Sequence, residues 1–106
     1  MSKLYRKHPL YYLENYIEVA REVKKIVKTI DPEAQLYVFG SVVRRKYTAT
    51  SDIDILVVTE KLQQKYEIIV QVYKSIEAPV ELHITTEEIF EKWYKKFIDK
   101  KELVKI

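Results

Sequence analysis

An apolar segment near the middle of the chain, DIDILVVT from Asp52 to Thr59, restricts the folds that are open to this sequence. Its β-branched and almost continuous hydrophobic side chains are typical of a strand buried in a sheet. Further strands are predicted from AQLYVFG, which ends at Gly40, and from VELHI, which follows Pro79. The connection between the first two strands is too short for a standard parallel crossover, so we expect a mixed sheet.

Helical segments precede, separate and follow these strands. Apolar side chains recur every three or four residues from Pro9 to Ile30, and Asp31 before Pro32 ends this pattern. The segment 61–76 also has helical spacing, with four large side chains on one side: Tyr66, Ile69, Tyr73 and Ile76. The order α-β-β-α-β-α predicts an α/β (α+β) fold, with a small mixed central sheet flanked by helices.

The last helix is predicted to begin at the sequence TTEE, with Thr85 as the N-cap and Glu88 returning to it. Its core side is expected to carry four apolar residues: Ile89, Phe90, Trp93 and Phe97. No repeat, linker or low-complexity segment interrupts the sequence, so we expect residues 1–106 to form a single domain.

The composition excludes several classes of protein. Hydrophobic residues make up 47% and charged residues 33%, and the net charge is only +3, which does not favour a general nucleic-acid-binding protein. The chain has no cysteine for a disulfide or thiolate metal site, and no apolar run near the about 20 residues of a membrane span. The polar start MSKLYRKHPL does not resemble a signal peptide, so a cytoplasmic location is expected.

Two aspartates stand at the start of the apolar strand. Side chains alternate between the faces of a strand, so Asp52 and Asp54 are predicted to point the same way. Two neighbouring carboxylates repel each other, and a bridging divalent cation such as Mg²⁺ removes the repulsion. An Asp-x-Asp pair alone is more often an ordinary strand start, and by itself it would not establish a metal site.

The third strand offers a further carboxylate. In PVELHI, Glu81 and His83 are predicted to share the face opposite the apolar residues. If the second and third strands are neighbours, Glu81 lies beside the aspartates, and three carboxylates suit two metal ions in a phosphoryl transfer. His83 would then border this site, although a histidine at such a position is more often an ordinary surface residue.

The single glycine precedes a serine at the end of the first strand. Gly40 has no Cβ, so a bulky anion can approach its backbone, and Ser41 adds a hydroxyl at the start of a short helical turn. Arg44, one turn further on, is able to reach the same anion. Alone, this pair is more simply a turn and a helix cap, but the aspartates at a fixed distance favour a phosphate-binding function.

Taken together, these residues resemble a known signature. GSVVRRKYTATSDIDILVV, residues 40–58, is similar to the signature of the DNA polymerase beta nucleotidyltransferase superfamily: Gly-Ser, a short helix, then Ser-Asp-x-Asp on a strand. The size of the chain resembles that of the minimal nucleotidyltransferase (MNT) domains, the smallest branch. The resemblance implies a polymerase-beta-like nucleotidyltransferase fold.

The resemblance also implies nucleotide-binding residues. Gly40 and Ser41 match the phosphate-binding pair, and Arg44 matches the arginine three residues after that serine. Arg45 stands where the superfamily commonly has glycine, and it either alters the loop or adds a second basic contact to the triphosphate. Ser51 matches the serine before the metal-binding aspartates.

The implied metal ligands are three carboxylates. Asp52 and Asp54 match the aspartates that hold Mg²⁺ on the triphosphate, and Glu81 stands where the third carboxylate, usually an aspartate, is expected. The implied activity is transfer of a nucleoside monophosphate from an NTP, AMP from ATP above all, to a hydroxyl acceptor with release of pyrophosphate. Glu81 would help to position the second metal ion and promote deprotonation of the acceptor.

The resemblance finally implies a partner. MNT domains often accompany small helical HEPN proteins, so the chain is expected to act as an antitoxin that adenylylates a tyrosine of a HEPN toxin. A non-catalytic antitoxin or binding module that neutralises its partner by binding alone is the alternative. A nucleic-acid-binding fold without catalysis is a third possibility, against which the near-neutral charge argues. Self-association into a homo-oligomer is also compatible with the sequence.

Overall fold

Four strands form one mixed sheet at the centre of the computed structural model, which describes residues 6–106. The strands are β1 (Gln35–Phe39), β2 (Ile53–Val58), β3 (Val80–Thr85) and β4 (Val104–Lys105). Their order across the sheet is β3-β2-β1-β4, with β2 and β3 parallel and the other neighbours antiparallel. The predicted mixed sheet is confirmed, and the two-residue strand β4 is an addition too short for a sequence pattern to reveal.

Helices flank the sheet in the predicted order. The α-helices before β3 are α1 (Pro9–Glu14), α2 (Tyr16–Ile30), α3 (Ser41–Arg44) and α4 (Lys65–Ser75). After β3 come α5 (Glu87–Ile89), a π-helical turn (Phe90–Tyr94) and α6 (Lys95–Phe97), and 3₁₀ turns lie at Leu62–Gln64 and Lys100–Glu102. None of the helices within residues 6–106 combines the length and apolar character that a bilayer crossing requires.

The predicted first helix is divided into α1 and α2 at Asn15. This residue leaves the helical conformation, and its side chain donates a hydrogen bond to the Tyr11 carbonyl at 2.8 Å. The backbone N–H of Asn15 bonds to the same carbonyl, so the end of α1 is capped locally. The apolar stripe continues across the break, because Leu13 and Ala20 are both fully buried.

The main core lies between one sheet face and the helices α2 and α4. The helices contribute Val23, Val27, Ile68 and Val72, and the sheet contributes alternate residues, all fully buried: Leu36, Val38, Ile53, Ile55 and Val57. In α4 the buried side chains differ from the predicted side, since Tyr66 is 78% exposed. Ile68 and Val72 form a neighbouring row four residues apart, which faces the sheet instead.

The opposite sheet face carries a smaller core and is covered only in part. Phe90 packs there against Leu56 and Val58, and its ring stacks on Tyr37 at 4.6 Å. Of the four residues predicted to line the core, Phe90 is buried as expected, but the prediction is wrong for Ile89, Trp93 and Phe97, which form a solvent-exposed row. The row that turns inward is its neighbour, Phe90 and Tyr94. The rest of this face stays open beside the strands.

The start of the last helical segment also differs by one residue from the prediction. Thr85 is the final, buried residue of β3, and Thr86 is the N-cap, whose hydroxyl accepts a hydrogen bond from the Ile89 N–H at 3.4 Å. Only Thr85 has a glutamate three residues later, which is why the capping pattern selects it. Either threonine can act as an N-cap, and Thr86 does so because β3 extends through Thr85.

Candidate functional site

The open part of the sheet brings two carboxylates together. In the parallel pairing of β2 with β3, Asp54 lies directly beside Glu81, and both side chains point away from the main core. His83, two residues further along β3, shares this face. One ligand atom from each of the three lies within 4.8 Å of the others, and no further group of this kind is found within residues 6–106.

Asp54 and His83 contact each other directly. His83 Nε2 is 3.2 Å from Asp54 Oδ1, and the two side chains are only 28% and 23% exposed. The Phe39 ring packs against the imidazole at 5.1 Å and limits its orientation. The hydrogen bond to Asp54 raises the pKa of His83 above its ordinary value, although partial burial opposes the shift.

The turn after β1 touches the same carboxylate. Gly40 has φ +88°, a left-handed conformation that favours glycine, and a Cβ at this position would overlap Asp54 Oδ2. The pairing of Phe39 with Asp54 in the β1–β2 ladder brings the turn to this place. The structure therefore places the predicted Gly40–Ser41 turn against one of the predicted acids.

The other predicted acid, Asp52, is placed differently. It lies one residue before β2 on an exposed segment, and its carboxylate is outside the group formed by Asp54, Glu81 and His83. Ser51 closes the loop before it, because its hydroxyl accepts a hydrogen bond from the Thr48 N–H at 2.9 Å. The structure thus brings together Asp54 and Glu81, but adds His83 where the sequence suggested Asp52.

The two predicted arginines lie at the end of α3. Arg44 forms an ion pair with Glu102, with 3.8 Å between Nη1 and Oε2, and its side chain is 44% exposed. Arg45 caps the helix with φ +57°, the left-handed conformation in which glycine is favoured. This backbone geometry gives a physical reason for the glycine that the superfamily commonly has there.

The grouped side chains fit a divalent cation. A single ion with ligand bonds of about 2.1 Å holds its ligand atoms at most about 4.2 Å apart, close to the 4.8 Å limit within which Asp54, Glu81 and His83 lie. On the side facing Gly40 the Asp54 carboxylate packs directly against the turn, which is possible because the glycine has no side chain. The arrangement can hold a cation next to the Gly40–Ser41 turn.

The sequence analysis left open whether His83 belongs to the metal-binding group or is an ordinary surface residue. Period-two alternation places it on the same face as Glu81, but alternation does not reveal which strand lies next to β3 or in what register. The parallel pairing supplies this information, because it sets Glu81 beside Asp54 and leaves His83 diagonal to the same carboxylate.

Comparison with known proteins agrees with the observed fold. Residues 20–106 match the family model described as the nucleotidyltransferase domain. The match spans most of the sequence, so the chain belongs to this family, and its fold is that of a nucleotidyltransferase. None of the curated proteins matches the chain significantly.

Two solved structures are similar to the chain. One, provisionally described as a nucleotidyltransferase, is 30% identical with a TM-score of 0.65, and the alignment covers 82% of this chain and 96% of that chain. Another, from Sulfolobus solfataricus and described in the same way, is 24% identical with a TM-score of 0.62, covering 93% of this chain and 86% of that one. The similarity to the second structure supports the assignment of the fold alone.

Family membership indicates the general chemistry. A nucleotidyltransferase domain implies a nucleoside triphosphate as substrate, and such enzymes generally use divalent metal ions. The chain therefore has the fold and family of a nucleotidyltransferase, with a cluster able to hold a divalent ion.

Proposed function

We propose that this protein transfers AMP from ATP to a hydroxyl acceptor and releases pyrophosphate. The observation that carries the proposal is the convergence of the Gly40–Ser41 turn and Glu81 on Asp54, within a chain of the nucleotidyltransferase family. The reaction is assigned to a single domain of residues 1–106, acting in the cytoplasm. A homo-oligomer is compatible with this proposal.

The proposed metal ligands are Asp52, Asp54 and Glu81, with Mg²⁺ as the cofactor. Asp54 and Glu81 are neighbours across β2 and β3, whereas the exposed Asp52 is free to turn toward a bound triphosphate. A bound Mg²⁺ supplies positive charge that offsets the charge of the phosphates. The carboxylates supply the hard oxygen ligands that this ion prefers.

The proposed nucleotide contacts lie around α3. The proposed phosphate contacts are the Gly40 backbone and the Ser41 hydroxyl. Gly40 lets this turn lie against Asp54, because a Cβ at position 40 would overlap Asp54 Oδ2. Arg44 and Arg45 contribute positive charge, and both side chains are exposed enough to reorient. Ser51, which holds the loop before Asp52, completes the set.

In the proposed step the acceptor oxygen forms a bond to the α-phosphorus of ATP. The bond between the α-phosphorus and the oxygen bridging to the β-phosphate breaks, and pyrophosphate leaves with that electron pair. The proton of the acceptor hydroxyl passes to the carboxylate of Glu81, the most exposed of the three grouped side chains. Catalysis rests on positioning and on charge neutralisation rather than on a covalent intermediate.

Calorimetry with ATP and Mg²⁺ tests the nucleotide site. We expect the unaltered protein to bind ATP in the presence of Mg²⁺, and Asp54→Asn to weaken binding by at least about tenfold because a metal ligand is lost. Glu67→Gln, which removes a carboxylate on the exposed side of α4, is the matched control and is expected to bind normally. Absence of binding at millimolar ATP would contradict the proposal.

The proposed acceptor is a tyrosine of a small helical HEPN partner, and the protein acts as its antitoxin. The support is the similarity of residues 40–58 to the MNT signature, since MNT domains often accompany HEPN proteins. The alternative is an antitoxin that neutralises its partner by binding alone. In both proposals the partner binds the protein. They differ in whether AMP transfer is needed to neutralise the partner.

Co-expression with a neighbouring toxin gene separates the two. If chemistry carries the function, Asp54→Asn fails to restore growth while Glu67→Gln restores it, and only the active protein leaves an AMP adduct on the partner. If Asp54→Asn still neutralises the partner fully, the antitoxin acts by binding and the adenylylation proposal fails.

A further inference from the structure

An imidazole nitrogen stands among the carboxylates of the site. His83 Nε2 and Asp54 Oδ1 are 3.2 Å apart, and an oxygen of Glu81 lies within 4.8 Å of both groups. Two ligands of one ion with bonds of about 2.1 Å are about 3.0–3.4 Å apart in octahedral or tetrahedral geometry. The observed separation of His83 and Asp54 falls within that range, so the two atoms fit one ion.

The surroundings hold both groups in this arrangement. Asp54 Oδ2 is directed at the Gly40 backbone, which leaves Oδ1 facing the imidazole. Phe39 packs against the His83 ring from the β1 side. Both side chains are partly exposed, so an ion can enter from solvent without unfolding the sheet.

The ligand set distinguishes among divalent cations. Mg²⁺ prefers oxygen ligands and retains bound water, so an imidazole adds little to its binding. Zn²⁺ binds imidazole together with carboxylates, and Mn²⁺, although it also favours oxygen ligands, accepts an imidazole more readily than Mg²⁺ does. A site of two carboxylates and one histidine is therefore selective in favour of transition metals.

We infer that Asp54, Glu81 and His83 form a binding site for a transition divalent cation such as Mn²⁺ or Zn²⁺, and that His83 makes the site prefer these ions over Mg²⁺. The inference deepens the proposed function and rests on it, because Asp54 and Glu81 are also the proposed ligands of the catalytic metal. Mg²⁺ occupies the same oxygen ligands more weakly. His83 is a metal-selecting residue in this account.

Calorimetric titration of the protein with Mn²⁺ and, separately, with Mg²⁺, in the absence of nucleotide, tests this inference. We expect Mn²⁺ to bind the unaltered protein at least about tenfold more tightly than Mg²⁺, and His83→Asn to lose about tenfold in Mn²⁺ affinity with a much smaller change for Mg²⁺. Zn²⁺ is expected to show the same dependence on His83 as Mn²⁺ and to bind more tightly than Mn²⁺.

The other histidine of the chain provides the matched control. His8 caps α1 by accepting a hydrogen bond from the Leu10 N–H, and asparagine is able to do the same. His8→Asn is therefore expected to keep both the fold and the Mn²⁺ affinity. Equal Mn²⁺ and Mg²⁺ affinity in the unaltered protein, or unchanged Mn²⁺ affinity in His83→Asn, would overturn the inference.

A second measurement needs no substitution, and it decides the question if His83→Asn fails to fold. Substoichiometric Mn²⁺ broadens the NMR signals of the nuclei closest to it, so the His83 ring signals are expected to disappear before those of His8. Broadening of His8 first, or of both alike, counts against the site. Neither experiment contains nucleotide, so loss of this selectivity leaves the proposed nucleotidyl transfer untouched, and calorimetry with ATP tests that separately.

Discussion

At the scale of single residues, Gly40 links the fold to the site. It ends β1 with a positive φ and leaves no room for a Cβ beside Asp54 Oδ2. The same residue therefore satisfies a backbone requirement and fixes the position of a proposed metal ligand. A chain with one glycine places it where both constraints coincide.

We expect Gly40→Ala to lower the free energy of unfolding by about 1–3 kcal/mol, because the new Cβ must adopt a strained φ and displace Asp54. Metal and ATP binding, measured by calorimetry, should weaken by more than about tenfold as Asp54 moves. Arg45→Gly is the matched control for stability alone, since it relieves a positive φ rather than creating a clash, and Arg45 is itself a proposed nucleotide contact. A fully stable Gly40→Ala with normal binding would show that this turn does not shape the site.

At the scale of elements, the two faces of the sheet have different roles. One face packs against α2 and α4, and the other divides between the Phe90 cluster and the open cluster of Asp54, Glu81 and His83. The last helical segment covers only part of the second face. The site is accessible because only two residues of this segment, Phe90 and Tyr94, pack against the strands, and they leave the part of the face around Asp54 uncovered.

We expect Phe90→Ala to reduce the free energy of unfolding by about 3–5 kcal/mol, because it leaves a cavity against Leu56 and Tyr37. Trp93→Ala, three residues away on the exposed row, is expected to cost less than about 1 kcal/mol, although its ring contacts Phe97. Urea unfolding of both variants measures the contrast. Similar losses in the two would contradict the assignment of the inward row.

The sequence predicted the elements better than their contacts. The β-branched run in β2 and the Gly40–Ser41 turn were readable because their signals are local. Phe90 and Trp93 were both predicted to face the core, and only Phe90 does, since two adjacent rows of apolar residues fit the same helical spacing. The proximity of His83 to Asp54 depends on a parallel register between distant segments, which no local pattern encodes.

At the scale of the whole molecule, a buried carboxylate joins α2 to the end of β2. Asp31 accepts hydrogen bonds from the Thr59 hydroxyl at 2.5 Å and from the Glu33 N–H at 3.1 Å, and Lys61 lies 3.9 Å away. Burial alone would raise the pKa of Asp31. The hydrogen bonds and the charges of Lys61 and Lys28 outweigh it, so the pKa lies below its ordinary value.

Because the pKa of Asp31 is lower in the folded state than in the unfolded chain, its contribution to stability decreases as the pH falls. The stabilisation by Asp31 is fully present above the pKa of the unfolded chain, about 3.9, and is lost as pH falls through the lower folded value. We therefore expect Asp31→Asn to be less stable than the unaltered protein at pH 7. The difference should shrink on acidification below about pH 4.

Urea unfolding of both proteins across this pH range measures the effect, and Glu67→Gln controls for the loss of an exposed carboxylate. A difference that stays constant down to pH 2, about two units below the ordinary pKa, would show that the charge of Asp31 contributes nothing.

The central claim, nucleotidyl transfer at Asp54 and Glu81, is tested most directly by label transfer. The protein is incubated with a divalent metal, candidate acceptor proteins and ATP labelled at either the α- or the γ-phosphate, beside Asp54→Asn as a matched control. The account predicts that label from the α-phosphate, but not the γ-phosphate, becomes attached to an acceptor and that Asp54→Asn abolishes it. Transfer of the γ-label, or undiminished α-labelling by Asp54→Asn, would contradict it.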